Sequence, residues 1–152
     1  MQWFASRGET VTGVDRDLSA TQHLSAVATL VQADIENQSW PLVQDGAPQQ
    51  FDAVVVTNYL WRPLLPTLLA SLAPGGVLLY ETFGIGNETL GRPGRPDFLL
   101  KPGELLEVCK DLHVIAYEHG VLQNPPRLVQ RIAAVRPPQP SQGHPTPKAY
   151  AL

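Results

Sequence analysis

Two aspartates carry the clearest chemical signal in this chain. Asp15 follows Thr10-Val11-Thr12-Gly13-Val14 and Asp34 follows Thr29-Leu30-Val31-Gln32-Ala33, so each acid stands where a strand-forming run ends. A carboxylate at that point of an α/β fold can accept hydrogen bonds from both hydroxyls of a ribose. It can equally cap the element that follows; this second reading stands level with the first at Asp15 and is the stronger one at Asp34. A third polar cluster, Thr57-Asn58-Tyr59-Leu60-Trp61, follows the apolar run Phe51-Asp52-Ala53-Val54-Val55-Val56. Its amide and aromatics either line a ligand pocket or pack into the core. Glu81, at the exit of Val77-Leu78-Leu79-Tyr80, either contacts a substrate or is a solvated or hydrogen-bonded carboxylate.

The remaining reactive side chains assemble into nothing comparable. Gly84-Ile85-Gly86 lacks the third glycine of a phosphate cradle and reads as a hinge. His113 and His119 lie in or beside late strands, where a structural histidine outweighs a general base. Cys109 reads as a small buried helix residue. Neither a histidine pair at metal-ligand spacing nor a Gly-x-Ser-x-Gly elbow is present, so no metal is expected and no catalytic residue is assigned.

The elements that must position these groups follow from periodicity. Trp3 to Gly8 reads as the last turns of an amphipathic helix closed by glycine, either a short docked stub or the remainder of a longer element. Residues 18–28 read as a helix with Leu24, Val27 and Ala28 on one side, and residues 37–50 as a surface connection. Phe51–Val56 has the continuous apolar character of a strand buried on both faces of a parallel sheet. Pro63 to Leu72 reads as a helix, Ala73-Pro74-Gly75-Gly76 as a turn into Val77–Tyr80, and Gly103 to Lys110 as a short helix. The segment 84–102, with four glycines and three prolines, reads as a functional loop. Leu112–Tyr117 and Leu128–Val135, joined through Asn124-Pro125-Pro126 without a crossover helix, should pair antiparallel. The expected fold is therefore α/β and Rossmann-like, a mostly parallel sheet ending in an antiparallel hairpin, with ligands outside the carboxyl ends of the strands.

Composition narrows the function classes. The 152 residues are 43% hydrophobic and 16% charged with a net charge of -3, which suits one folded domain and leaves no basic excess for nucleic acid. A single cysteine excludes an internal disulfide framework and fits a cytoplasmic protein. No apolar run is long enough to span a bilayer, so no membrane partner is expected. Five of the 15 prolines fall in residues 137–152, which read as a disordered tail after a domain at residues 1–136.

Four runs, taken together, resemble a known family. Thr12-Gly13-Val14-Asp15-Arg16-Asp17, Ala33-Asp34-Ile35-Glu36, Phe51 through Tyr59, and Leu72-Ala73-Pro74-Gly75-Gly76-Val77-Leu78 are similar to the second to fifth strand motifs of class I S-adenosylmethionine-dependent methyltransferases. Tyr80-Glu81-Thr82-Phe83 through Arg95-Pro96-Asp97-Phe98-Leu99-Leu100 resembles their small-molecule, tellurite-resistance-like branch. The resemblance implies S-adenosyl-L-methionine as cofactor. Asp15, with Arg16 beside it, would meet its ribose, Asp34 and Ile35 its adenine, and Thr57 and Asn58 its methionine end. Tyr59, Trp61 and Glu81 would face a small-molecule substrate. The family's first strand and its Asp/Glu-x-Gly-x-Gly loop have no counterpart in these residues, and Trp3 to Gly8 would be the end of the helix that follows that loop. Two rivals remain at this point: a non-catalytic methyltransferase-like remnant or interaction module, and a nicotinamide- or flavin-dependent Rossmann enzyme, against which the final hairpin argues. The methyl acceptor and the oligomeric state are not legible.

Overall fold

Strand β1 (Thr12–Asp15) and strand β2 (Thr29–Gln32) pair in parallel, with Asp15 opposite Gln32, in the computed structural model, which describes residues 1–138. These strands belong to the first of two units, Met1–Pro48; the second begins at Gln49. Residues 139–152, most of the expected tail, lie outside the described residues, while Pro137 and Pro138 are exposed.

In the first unit, helix α1 (Gln2–Ala5) is one turn long and is followed by Gly8 at φ +84°, the left-handed conformation expected of a glycine just beyond a helix end. The Arg7 guanidinium stacks over the Trp3 ring at 3.6 Å. The helix expected over 18–28 is not formed: one 3-10 turn covers Gln22–Leu24, and Val27 is 55% exposed. The cause is local. The Asp17 carboxylate accepts the Ser19 amide at 2.9 Å as a cap would, but the Leu18 carbonyl, which the first helical turn would use, is taken by both the amide and the hydroxyl of Thr21. The surface connection at 37–50 contains a hairpin, strands β3 (Val43–Gln44) and β4 (Ala47–Pro48). Asp45 and Gly46 between them both have positive φ, 51° and 78°, as a two-residue primed turn requires.

In the second unit, strands β5 (Phe51–Thr57), β6 (Leu72–Phe83), β7 (His113–Gln123) and β8 (Pro126–Val135) form one sheet in the order β5-β6-β8-β7. The β5–β6 pair is parallel; β6–β8 and β7–β8 are antiparallel, so the mixed sheet with a closing hairpin is as expected. The register shifts between Phe51 and Ala53, where Ala73-Pro74-Gly75-Gly76 bulges out of β6. Helix α2 (Leu65–Ala70), led in by a 3-10 turn at Arg62–Leu64, buries Leu64 and Leu68 four residues apart, while helix α3 (Glu104–Val108) buries Leu105 and, at its C-cap, Cys109. These apolar pairs complete a core with Leu78, Tyr80, Ile132 and Ala134, side chains of one sheet face in register across β6 and β8. The expectation that β5 is buried on both faces is corrected: Val55 is 46% and Leu79 37% exposed on the opposite face. Helices α2 and α3 of this unit pack on β6 and β8 against the Leu78 side, and the exposure of Val55 and Leu79 shows that an apolar run here does not report two-sided burial.

Candidate functional site

The two aspartates meet at the end of the β1–β2 pair. The Ala33 amide donates to the Asp15 carbonyl at 3.0 Å, extending the ladder by one residue and bringing the two chain exits side by side. The Gln32 side chain donates to the Arg16 carbonyl at 3.0 Å, which fixes the Asp15–Asp17 turn against β2. Within that frame the two carboxylates differ. Asp15 is exposed and its Oδ1 accepts the Asp17 amide at 3.0 Å, leaving Oδ2 without a described partner. Asp34 has both oxygens engaged, Oδ1 with the Glu36 amide at 3.2 Å and Oδ2 with the Asn37 side chain at 2.9 Å. The Asn37 hydrogen bond holds the Asp34 carboxyl below the usual aspartate range. Asp34 thus behaves as the turn-capping residue of one of its two readings, whereas Asp15 keeps an acceptor for a ligand. Ile35, half-buried, lies between Asp34 and the Glu36 amide that its carboxylate holds.

In the second unit the predicted residues gather at the carboxyl ends of β5 and β6. Thr57 is opposite Glu81, and the Asn58 amide donates to the Glu81 carbonyl at 2.9 Å. Asn58 then turns the chain at φ +54°, a left-handed conformation that asparagine tolerates better than most residues. The Tyr80 hydroxyl, deep in the core, donates to the Tyr59 carbonyl at 2.9 Å and holds the turn that leads to Trp61. Burial drives the Tyr80 phenol upward in pKa, so it remains a donor at any ordinary pH. Glu81 is paired with Arg131, Nε to Oε2 at 2.6 Å, and Arg131 also reaches Glu118 at 3.2 Å. Arg127 lies 3.9 Å from the other Glu81 oxygen, so Glu81 is an ion-paired carboxylate between two arginines. An open groove of about 380 Å³ runs over the uncovered face, its floor at Val55, Leu79 and Ala133 and its polar end at Thr57, Glu81 and Arg131.

Three residues that the sequence did not single out organise the neighbourhood. Arg62 donates to both oxygens of Glu104, at 2.7 and 2.9 Å, and to the carbonyls of Asp97 and Leu99 at 2.8 and 2.9 Å. Asn87, 2% exposed, bridges the Leu128 amide and the Pro93 carbonyl, and fully buried Gln130 links Tyr117 to the Lys101 carbonyl. Arginine before proline, an amide in a loop and an amide in an apolar strand are the only sequence signal these leave, because each has a partner 29 to 42 residues away. The other residues considered earlier lie outside these clusters. Gly84 is buried and bridged to Leu100, so a side chain there would strike Leu128 at 2.7 Å; close packing rather than a hinge explains this glycine. His119 is exposed, and the buried Cys109 thiol is pushed up to about 11 by burial. Among the described residues no group of His, Cys, Asp and Glu could hold a metal ion.

No protein-family model matches the chain, and no curated protein matches it. Solved structures do. TehB from Haemophilus influenzae superposes with a TM-score of 0.64 at 17% identity over 87% of this chain and 51% of its own, so the chain spans about half the length of that protein. The N-methyltransferase NodS from Bradyrhizobium japonicum WM9 gives 0.61 at 18% identity, covering 84% of this chain and 74% of NodS. NodS also matches in its complex with S-adenosyl-L-homocysteine, at 0.54 and 17% identity over 82% of this chain and 66% of NodS. The [4+2]-cyclase SpnF matches at 0.55 and 13% identity, over 85% of this chain and 66% of SpnF. The fold is that of the S-adenosylmethionine-dependent methyltransferases, and a protein named as a cyclase shares it.

Proposed function

We propose that this chain binds S-adenosyl-L-methionine and serves transfer of its methyl group to a small-molecule nucleophile, as in the tellurite-resistance-like branch that its loop sequence resembles. The observation that carries the reading is the free oxygen of Asp15 at the carboxyl end of a parallel pair, in a fold shared with NodS. Asp15 would accept the ribose hydroxyls, with Arg16 alongside, while the turn that Asp34 caps would present Ile35 to the adenine. Thr57 and Asn58 are assigned to the methionine end and Tyr59, Trp61 and Glu81 to the acceptor. When bound, the cofactor supplies an electrophilic methyl group on a sulfonium. Held by Asp15, Thr57 and Asn58, the group would supply that methyl to the nucleophile, with the displaced electron pair retained by sulfur and the nucleophile's proton lost to water or a base. The chain's own task is positioning and the exclusion of water, and this explains how the site can lack a strong acid/base constellation. No reaction is fixed by the fold alone, so the test is of ligand rather than turnover.

Calorimetric titration with S-adenosylhomocysteine should give heat at millimolar ligand, and NADH none. Asp15→Ala should weaken binding by roughly 10-fold or more, the cost of losing hydrogen bonds to a charged acceptor, whereas Asp17→Ala should change it by less than about 2-fold. The absence of both heat and a thermal shift at millimolar S-adenosylhomocysteine would overturn the reading for this chain.

A further inference from the structure

The loop between β6 and α3 is closed at its base and held at two points. The Leu100 amide donates to the Phe83 carbonyl and the Ile85 amide to the Leu100 carbonyl, both at 2.9 Å, so the ends of the loop are joined like a short ladder. Beyond that base, one limb is anchored by Asn87 on the Leu128 amide at 3.0 Å. The other limb is anchored by Arg62 on the carbonyls of Asp97 and Leu99 and by burial of the Leu99 side chain. Between these anchors, Thr89 bonds back to Gly86 and Leu90 and Gly91 to Asn87, the Asn87 side-chain amide donates to the Pro93 carbonyl at 3.2 Å, and the distal turn is bonded within itself, Phe98 to Arg95 and Arg95 to Asp97. Residues 88–97 are exposed except for half-buried Pro93.

We infer that residues 88–99 form a flap that opens as one unit beside the Asn58–Arg62 turn, with the Arg62–Glu104 pair as its latch. The Asn87 amide joins Pro93 to the proximal limb, and besides the buried Leu99 it is Arg62 that holds the distal limb from outside the loop. Arg62 holds that limb only while its own fork is held, and Glu104 is what holds it, with the Lys101 amide bonded to the same carboxylate at 2.7 Å. Three separate chain segments therefore depend on one planar guanidinium, a geometry that lysine cannot reproduce. The Arg62 side chain is 36% exposed and that of Glu104 16%, so removing either partner strands a charge that is only part-solvated. The inference stands whatever ligand the chain binds.

Native-state hydrogen exchange of the full chain tests it. Arg62→Lys and Glu104→Gln should each lower protection of the Leu90, Gly91, Phe98 and Leu99 amides together by about 10-fold or more, with the β6–β8 ladder amides unchanged. Equal protection of the flap in wild type and both variants would overturn the latch. Flap amides that exchange only in step with the ladder would overturn the separate opening unit. Should one variant fail to fold, as judged by far-UV circular dichroism, the other decides.

Discussion

Gly76→Ala should lower the melting temperature by roughly 10 °C or more, while Gly75→Ala, one residue earlier, should cost less than half as much. The two glycines differ in what a Cβ would meet. At Gly76 it would lie 2.8 Å from the Ala73 carbonyl oxygen and 2.9 Å from that of Phe51, both backbone atoms fixed by the bulge and by the start of β5. Relief requires moving the bulge against the β5–β6 ladder, and such overpacking costs roughly 2–3 kcal/mol. Gly75 faces open space and pays only for its left-handed φ of +84°, about 1 kcal/mol. Thermal denaturation followed by circular dichroism separates them; equal melting temperatures would show that the bulge is not the rigid element inferred here.

Gln130→Glu, nearly isosteric, should be more damaging at pH 7 than Gln130→Leu. The Gln130 Nε2 donates to the Lys101 carbonyl at 2.7 Å, and its Oε1 accepts the Tyr117 hydroxyl at 3.0 Å, all from a fully buried position. Leucine leaves those two partners unsatisfied, at about 2 kcal/mol. Glutamate places an oxygen against the Lys101 oxygen and buries a charge without a cation, at about 3 kcal/mol or more. The folded-state pKa of that glutamate would be raised above its unfolded value, so its penalty is full well above the folded pKa and fades as pH falls through it toward the unfolded value. In denaturant titrations the gap between Gln130→Glu and wild type should shrink between pH 7 and about pH 5. A gap independent of pH would mean that the side chain escapes to water.

What the sequence disclosed and what it hid divide along physical lines. The β5–β6 crossover and the β7–β8 hairpin were legible because each rests on local signals, an apolar run, a proline-led helix, a Pro-Gly-Gly turn and a short hairpin connection. Asp15, Asp34, Asn58 and Glu81 were placed at strand ends for the same reason. The helix expected at 18–28 failed where the amide and hydroxyl of Thr21 close on the Leu18 carbonyl, a nearer partner than a helical turn offers. The hairpin at Asp45-Gly46 carried the Asp-Gly turn signal, yet its two-residue strands were too short to register as alternation. Arg62, Asn87 and Gln130 stayed hidden because a buried polar side chain is identified by its partners, and those are distant in sequence. Of the candidate sites, position was legible; the state of each carboxylate, open at Asp15 and engaged at Asp34 and Glu81, needed coordinates.

The central claim is that Asp15 and its strand-end neighbours receive the cofactor. The most direct test is a ¹⁵N-resolved amide NMR titration of the chain with S-adenosylhomocysteine. Saturable shifts are expected at Asp15–Asp17 and Ile35–Glu36, with α3 and the β7–β8 hairpin unmoved. A spectrum in which Asp15–Asp17 and Ile35–Glu36 stay fixed at saturating ligand, or in which the shifts centre elsewhere, would contradict it.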